Sequence, residues 1–379
     1  MKVIHVPKNV GGNPYLISKF LNKINIESTI WVYEDFYFNY PADKIIIDKK
    51  DGIFLREIKK FLALKYIFHN DAVFFNYGAG LYPPYFTLDY GRYSAWKKPL
   101  VFLYCLYINL MSKVELLLLK ILSRKIFIQY QGDDARQGDF CKKNFSINIA
   151  DNVEETYYSQ ATDQMKRKQI DLYGKISTKI YSLNPDLLHV LPKNAEFLPY
   201  MGQDLNSIEP KYIDSLDRPI RFGHAPSHRG VKGTDLIINA FEELKKEGSS
   251  FEFILIENMS HDEAMKAYEN LDVLIDQLFA GWYGGIAVEL MSLGKPVISY
   301  IRESDLRFIP TKMKEDLPII KSSPNNIYQT IKQVVQMNRV NLNKIAIQSR
   351  NFVEKWHNPE IIAKKIGDDL FSSQQGENS

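Results

Sequence analysis

Between Leu271 and Tyr300 the chain writes out one complete supersecondary unit. Leu271-Asp272-Val273-Leu274-Ile275-Asp276 reads as a buried strand. Gly284 and Gly285 then open an apolar helix whose single acid is Glu289, Gly294 stops it, and Pro296-Val297-Ile298-Ser299-Tyr300 reads as a second buried strand. Glycines ahead of a helix let a ligand approach backbone N–H groups, and the helix dipole favours an anion there. Glu289 lies four residues after Gly285 and so on the same face, placed to accept hydrogen bonds from sugar hydroxyls of a phosphate compound. The same residues would also make a tight turn with a satisfied helix acid, and spacing alone does not choose.

The alternation runs through the chain. Strands are expected at 2–7, 28–33, 44–48, 72–77, 125–131, 179–183 and 195–199, with helices at 13–24, 53–67, 100–122, 151–172 and 185–191. A second series has strands at 220–225, 251–257, 272–276, 296–300 and 317–320, and helices at 234–247, 260–269, 285–293, 325–337, 341–356 and 359–371. Strands alternating with helices imply mostly parallel sheets covered on both faces. The expected fold is therefore α/β, with two doubly wound Rossmann-like domains and ligands at the strand carboxyl ends. The first domain is drawn as 1–204, a polar linker as 205–218 and the second domain as 219–357. A closing helix at 358–371 is opened by Asn358-Pro359, and a polar tail, read as disordered, follows at 372–379.

Composition removes several classes of function. A chain of 379 residues has room for two ordinary domains, and 45% hydrophobic with 25% charged residues is a soluble globular balance. A net charge of +3 is too small to argue for nucleic acid. Basic residues do cluster, at Arg56, Lys59, Lys60 and Lys65, at Arg92, Lys97 and Lys98, at Arg124 and Lys125, and at Lys166, Arg167 and Lys168. Such runs are solvated helix faces or a peripheral contact with an anionic membrane. The apolar run 100–111 is broken by Ser112, Lys113 and Glu115, short of the ~20 residues a span requires, so a buried or half-buried helix is expected. Cys105 and Cys141 make neither a disulfide framework nor a metal spacing, and Met1 to Val6 enters a strand directly, with no signal peptide expected. Both point to the cytoplasm.

Three further loops carry candidate chemistry. His224-Ala225-Pro226-Ser227-His228-Arg229-Gly230-Val231-Lys232-Gly233-Thr234 follows a strand, and its cations lead into a helix start, which suits a diphosphate or an incidentally charged surface loop. Val10-Gly11-Gly12-Asn13-Pro14 opens the first helix, a weak signal alone. Tyr130-Gln131-Gly132-Asp133-Asp134-Ala135-Arg136 ends another strand; its adjacent acids project in different directions, which argues against a metal pair. Asn76-Tyr77-Gly78-Ala79-Gly80 follows a first-domain strand and is a further candidate ligand loop.

The run 281–298 resembles the donor-site motif of the retaining glycosyltransferases of family 4, which have the GT-B fold. There Glu-Gly-Phe-Gly leads into Leu-Glu-Ala-Met-Ala, then Gly and Pro-Val-Ile; here Trp282-Tyr283-Gly284, Val288-Glu289-Leu290-Met291, Gly294 and Pro296-Val297-Ile298 fit. The family's second glutamate falls on Glu289, which by resemblance holds the nucleotide ribose. The first, which holds hydroxyls of the donor sugar, falls on Gly281. Asp276 is the nearest substitute, or else caps local backbone N–H groups. Lys232-Gly233 matches the family's Lys-Gly, whose lysine grips the donor phosphates; its partner arginine falls on Ser227, with Arg229 the nearest replacement. Gln131 stands where the family often has histidine near the donor sugar, and Asp134 or Arg136 would face the cleft.

The resemblance thus implies a GT-B fold facing a cleft, with its last helix crossing back to the first domain. It implies a metal-independent, retaining hexosyltransferase without cofactor. Lys232, Arg229 and Asp276 would be catalytic. Gly11, Gly12, Ser227, Lys232, Tyr283, Gly284, Gly285 and Glu289 would bind the donor, with Gln131, Asp134 and Arg136 on the acceptor or sugar side. The partners expected are a nucleotide diphosphate sugar and a surface-polysaccharide or lipid-linked acceptor, with peripheral contact with an anionic membrane on its inner face and no nucleic acid. The rivals are a GT-B sugar-nucleotide epimerase, which needs carboxylates for proton transfer that are not found here, and a non-catalytic sugar-nucleotide-binding subunit.

Overall fold

A computed structural model describes residues 1–34, 40–88, 90–213, 218–257, 259 and 261–372. The chain forms two compact units. The first comprises Met1–Gln137, Gln160–Leu198 and the chain from Ile362; the second comprises Gly138–Ser159 and Pro199–Ile361.

The first unit is built on a seven-stranded sheet. Its strands are β1 (Lys2–Val6), β2 (Glu27–Val32), β3 (Lys44–Ile45), β4 (Ala72–Asn76), β5 (Lys125–Tyr130), β6 (Lys179–Ser182) and β7 (Ala195–Phe197), in the order β3-β2-β1-β4-β5-β6-β7. Every pairing is parallel, as when β1 sets His5 against Phe74 of β4 and β4 sets Phe74 against Phe127 of β5. Parallel strands need both faces covered, which is why β4 is buried at all five residues. The covering helices include Asn13–Lys23, Ile53–Phe68, Lys98–Ile121 and Gln160–Ile176. Val73, Phe75 and Ile128 pack with Ala63, Leu64, Ile67 and Ile108 in the core. The closing helix Pro359–Ser372 also belongs here from Ile362 on. It buries Ile362, Ala363, Ile366 and Leu370, and Tyr181 donates to Asp369 at 2.6 Å.

The second unit carries β8 (Ile220–His224), β9 (Phe251–Leu255), β10 (Val273–Ile275), β11 (Val297–Ser299) and β12 (Ile320–Lys321) in the parallel order β12-β11-β10-β8-β9. Phe222, Val273, Ile275 and Ile298 meet Ile237, Phe241 and Ile331 of the helices Thr234–Lys246 and Ile327–Gln336. In both sheets the chain winds out in two directions. The order reverses between β1 and β4 in the first, and between β8 and β10 in the second.

Two stretches differ from the sequence reading. The expected helix 151–172 is instead Gln160–Ile176, preceded by a short helix Gly138–Asn144. Between the two, the Asn148 amide donates to Phe145 O at 2.9 Å and its Oδ1 accepts from Asp151 N at 3.0 Å, a side-chain-held turn. Of the expected linker 205–218, the part up to Ile213 lies against the second unit. Lys211 N donates to Leu293 O at 2.8 Å and Ile213 is buried in that core. Residues 214–217 and the tail from 373 lie outside the described residues.

Candidate functional site

The reversal point of a doubly wound sheet is where two neighbouring strands send their connections to opposite faces, leaving a crevice at the carboxyl ends. In the second unit β8 ends there on His224 and β10 is followed there by Asp276. His224 is buried and its Nδ1 donates to Ile275 O at 2.8 Å. Its Nε2 therefore accepts from Thr234 Oγ1 at 2.9 Å, and burial pushes its pKa down to about 4. It is a neutral brace between both strands and the helix Thr234–Lys246.

Asp276 organises the loop after β10. Its side chain is fully buried; Oδ1 accepts from Lys232 Nζ at 2.6 Å and Oδ2 from Gly284 N at 2.6 Å. The next residue, Gln277, donates its amide to Trp282 O, so two successive side chains tie the 277–284 loop shut. Lys232 reaches Asp276 from the one-turn helix Arg229–Lys232, which Gly233 ends at φ +76°. Its own carbonyl accepts from Leu278 N at 3.3 Å. An ammonium has three donors, so Lys232 keeps two after serving Asp276. Beside it, the helix Gly285–Ser292 begins, and its first N–H groups have no intrahelical acceptors.

Glu289 is half-buried on that helix, pushed up to about 7 by burial while a hydrogen bond from Gln203 holds it down. The Tyr200 ring lies 3.8 Å from where a Cβ on Gly285 would sit. Tyr200 O in turn accepts from His357 Nδ1 at 2.7 Å, and Gly202 N donates to His357 O at 2.7 Å. Tyr200 by Gly285 and Gln203 by Glu289 thus flank this helix, and no local pattern marks them in the sequence; only packing brings them there.

The other donor-side candidates fall into different surroundings. Arg229 is half-exposed and makes a two-pronged pair with Glu257 at 2.9 and 2.7 Å, so its guanidinium is engaged away from Asp276. Ser227 is exposed on the same loop. Tyr283 is buried, stacked on Trp282, and its hydroxyl donates to His357 Nε2 at 2.8 Å; only its backbone faces the loop. Gly281 has φ +85°, and a Cβ there would lie 2.6 Å from the Arg302 guanidinium. That guanidinium donates to Asp305 at 2.8 Å and to Ile147 O at 2.9 Å and stacks 3.8 Å over Phe145. The space that a side chain at 281 would need is filled.

In the first unit, Gly11 and Gly12 follow β1 with φ +62° and +69°, and a Cβ on Gly12 would meet the Tyr40 ring at 2.7 Å. After β5, Asp134 accepts from Gln131 N at 3.0 Å and Gly132 N at 2.7 Å, and burial lifts it to about 6. Arg136 is buried between Asp133 and Asp186, each at 2.9 Å. Gln131 donates from its side chain to Gln129 at 3.4 Å. In the 76–80 loop Gly78, at φ +63°, leaves room for the Tyr130 ring, which a Cβ would approach to 2.6 Å. Lys8, which no motif singles out, sits 4.3 Å over the Tyr77 ring next to Asp134, at the reversal point between β1 and β4.

No protein-family model matches the sequence, and no curated protein matches it either. Solved structures do match over the whole chain. A sucrose-phosphate synthase from Thermosynechococcus elongatus superposes with a TM-score of 0.60 at 12% identity, covering 100% of this chain and 99% of its own. A glycosyltransferase from Rickettsia africae gives 0.56 at 13% identity over 100% and 99%. A putative UDP-N-acetylglucosamine 2-epimerase from Listeria monocytogenes gives 0.51 at 11% identity over 99% and 97%. The architecture is therefore α/β of the GT-B type, with two Rossmann-like units.

Proposed function

We propose that this chain moves a hexosyl group from a nucleoside diphosphate sugar to a hydroxyl acceptor, with retention at the anomeric carbon. The reading is carried by the grouping of Lys232, Asp276 and Gly284 at the reversal point of the second sheet, beside a glycine-opened helix bearing Glu289. The two remaining N–H groups of Lys232 and the helix start at Gly285 would take the charge that builds on the diphosphate as the C1–O bond breaks. The acceptor oxygen bonds to C1 on the face the diphosphate leaves, and its proton passes to the departing phosphate oxygen. No side-chain base and no metal is required. Arg229 could join only if its pair with Glu257 opened. The resemblance of 281–298 supports a family-4 donor site, and a surface polysaccharide or lipid-linked glycan is the proposed acceptor. The proposed setting is the cytoplasm, with which two buried cysteine thiols agree.

One observation favours a second reading. Gly281, closed off by Arg302, offers no acid to the donor sugar, as in a sugar-nucleotide-binding subunit without turnover. One experiment separates them. Nucleoside diphosphates at about 100 times their dissociation constant should add about 2.7 kcal/mol to stability in a thermal shift. Incubation with the matching donor sugar should then release nucleoside diphosphate, with the product anomer retained by NMR. Binding without release makes the chain a binding subunit, an epimerised donor makes it an epimerase, and no nucleotide binding at all removes the reading.

A further inference from the structure

The helices Ile53–Phe68 and Lys98–Ile121 of the first unit each bury one stripe and leave broad apolar faces uncovered. On the second, Val101, Cys105, Ile108, Ser112, Glu115 and Leu119 turn inward at three- and four-residue spacing. Its other side carries Leu103, Leu106 and Leu110, each more than half exposed. On the first helix Phe54 is 81% exposed, and Phe61 and Leu62 are more than half exposed. The two helices touch, Tyr104 donating to Glu57 at 3.1 Å, and Trp96, 70% exposed, stands just ahead of the second. Soluble proteins scatter such residues singly; contiguous patches mark contact surfaces.

Charge decides what covers this one. The two helices contain only two acids, and both point inward. Glu57 pairs with Lys60 at 2.7 Å, and Glu115 accepts from Leu81 N at 3.0 Å and Tyr82 N at 2.9 Å. Lys65, Lys97, Lys98, Lys113 and Lys120 are exposed. A face that is apolar and cationic would repel a second copy of itself but matches a bilayer with anionic headgroups, which offers both hydrocarbon and negative charge. The segment Ala95–Ile121 is long and apolar enough to cross a membrane. As a span, however, it would strip Ile108 and Leu119 from the core and carry Glu115 into hydrocarbon.

We propose that the first unit docks flat on an anionic bilayer through these two helices, with Phe54, Phe61, Leu103 and Leu106 in the headgroup–acyl boundary and the lysines on the lipid charge. The docking stands independently of the transfer reading. Because Glu115 holds the backbone of Leu81 and Tyr82, the docked helix also fixes the loop that follows β4.

Sedimentation of the full chain with vesicles tests this, using phosphatidylcholine alone and phosphatidylcholine mixed equally with phosphatidylglycerol. The mixed vesicles should bind the protein, and binding should fall as salt rises. Phe54→Ser/Phe61→Ser, Leu103→Ser/Leu106→Ser and Lys97→Glu/Lys98→Glu should each weaken it roughly tenfold or more. These side chains are exposed, so circular dichroism, melting and nucleotide affinity should stay unchanged, which keeps this test separate from that of the donor site. The proposal is overturned if mixed vesicles do not bind, if neutral vesicles bind as well, if the serine variants bind like the parent, or if a dimer that these variants abolish replaces vesicle binding.

Discussion

Lys232 and Asp276 are held 2.6 Å apart with the carboxylate fully buried, so neither can be removed without stranding the other. Losing one partner of a buried pair typically costs 3–5 kcal/mol, more than a lysine on a solvated loop would. Lys232→Ala is therefore expected to lower stability by about 3 kcal/mol in urea unfolding, besides abolishing turnover. Lys232→Met/Asp276→Leu should recover most of the stability and none of the activity. A wild-type midpoint for Lys232→Ala would mean that the pair does not form. Glu289 makes a second prediction through pH. Burial lifts its pKa from 4.5 to about 7, so the folded chain holds a proton there that the unfolded chain has released. Its contribution to stability is complete below about 4.5 and is lost as pH rises through about 7. The ionised form is the stronger acceptor of hydroxyl hydrogen bonds, so affinity for a nucleoside diphosphate should rise across pH 7, followed by calorimetry. Glu289→Gln should flatten that part of the profile, and an unchanged profile would take Glu289 out of the donor site.

Among the elements, the 277–284 loop is held at both ends by side chains, Asp276 to Gly284 N and Gln277 to Trp282 O. Gly281 combines φ +85° with a guanidinium where its Cβ would go, so restoring an acid there meets strain and collision together. Gly281→Glu is expected to destabilise by about 1–3 kcal/mol on the backbone alone and to displace Arg302 from Asp305. It should not raise donor turnover. A stable, more active variant would mean that Arg302 yields and that the position is still a sugar subsite. The neighbouring helix Gly285–Ser292 tolerates its glycine start because Asp276 takes the Gly284 N–H, a capping role that its spacing in the sequence already allowed.

For the whole molecule, the closing helix carries the main stability prediction. Ile362, Ala363, Ile366 and Leu370 are at most 5% exposed, Lys125 Nζ donates to Leu370 O at 2.7 Å, and Tyr181 reaches Asp369. Each large apolar side chain fully buried contributes about 1.5–3 kcal/mol. Ending the chain at Asn358 would thus remove an amount comparable to the about 5–15 kcal/mol of a typical domain. Truncation should abolish cooperative unfolding of the first unit, read by fluorescence and proteolysis, while the second unit's β8–β12 sheet stays protected. A truncated chain with a normal first-unit transition would show that the helix is dispensable.

What the sequence by itself determined is periodic and local. The alternation of apolar runs with helical patterns places both parallel sheets, because a strand buried on two faces is mostly apolar. Asn358-Pro359 marks the closing helix, whose Asn358 Oδ1 accepts from Glu360 N at 2.9 Å. Lys232 and Gly284 could be named because loops after strands carry their own glycine and charge signals, and Asp276 as the nearest substitute for the glutamate that the resembled family has at position 281. That the three share one hydrogen-bonded knot was decided only by the fold, since β8 and β10 become neighbours by crossover and not by sequence distance. The same holds for the engagement of Arg229 by Glu257, for the guanidinium behind Gly281, and for Tyr200 and Gln203 beside the helix Gly285–Ser292. Each depends on which long-range surfaces pack together, and a side chain's partner across such a contact leaves no period in the chain to read.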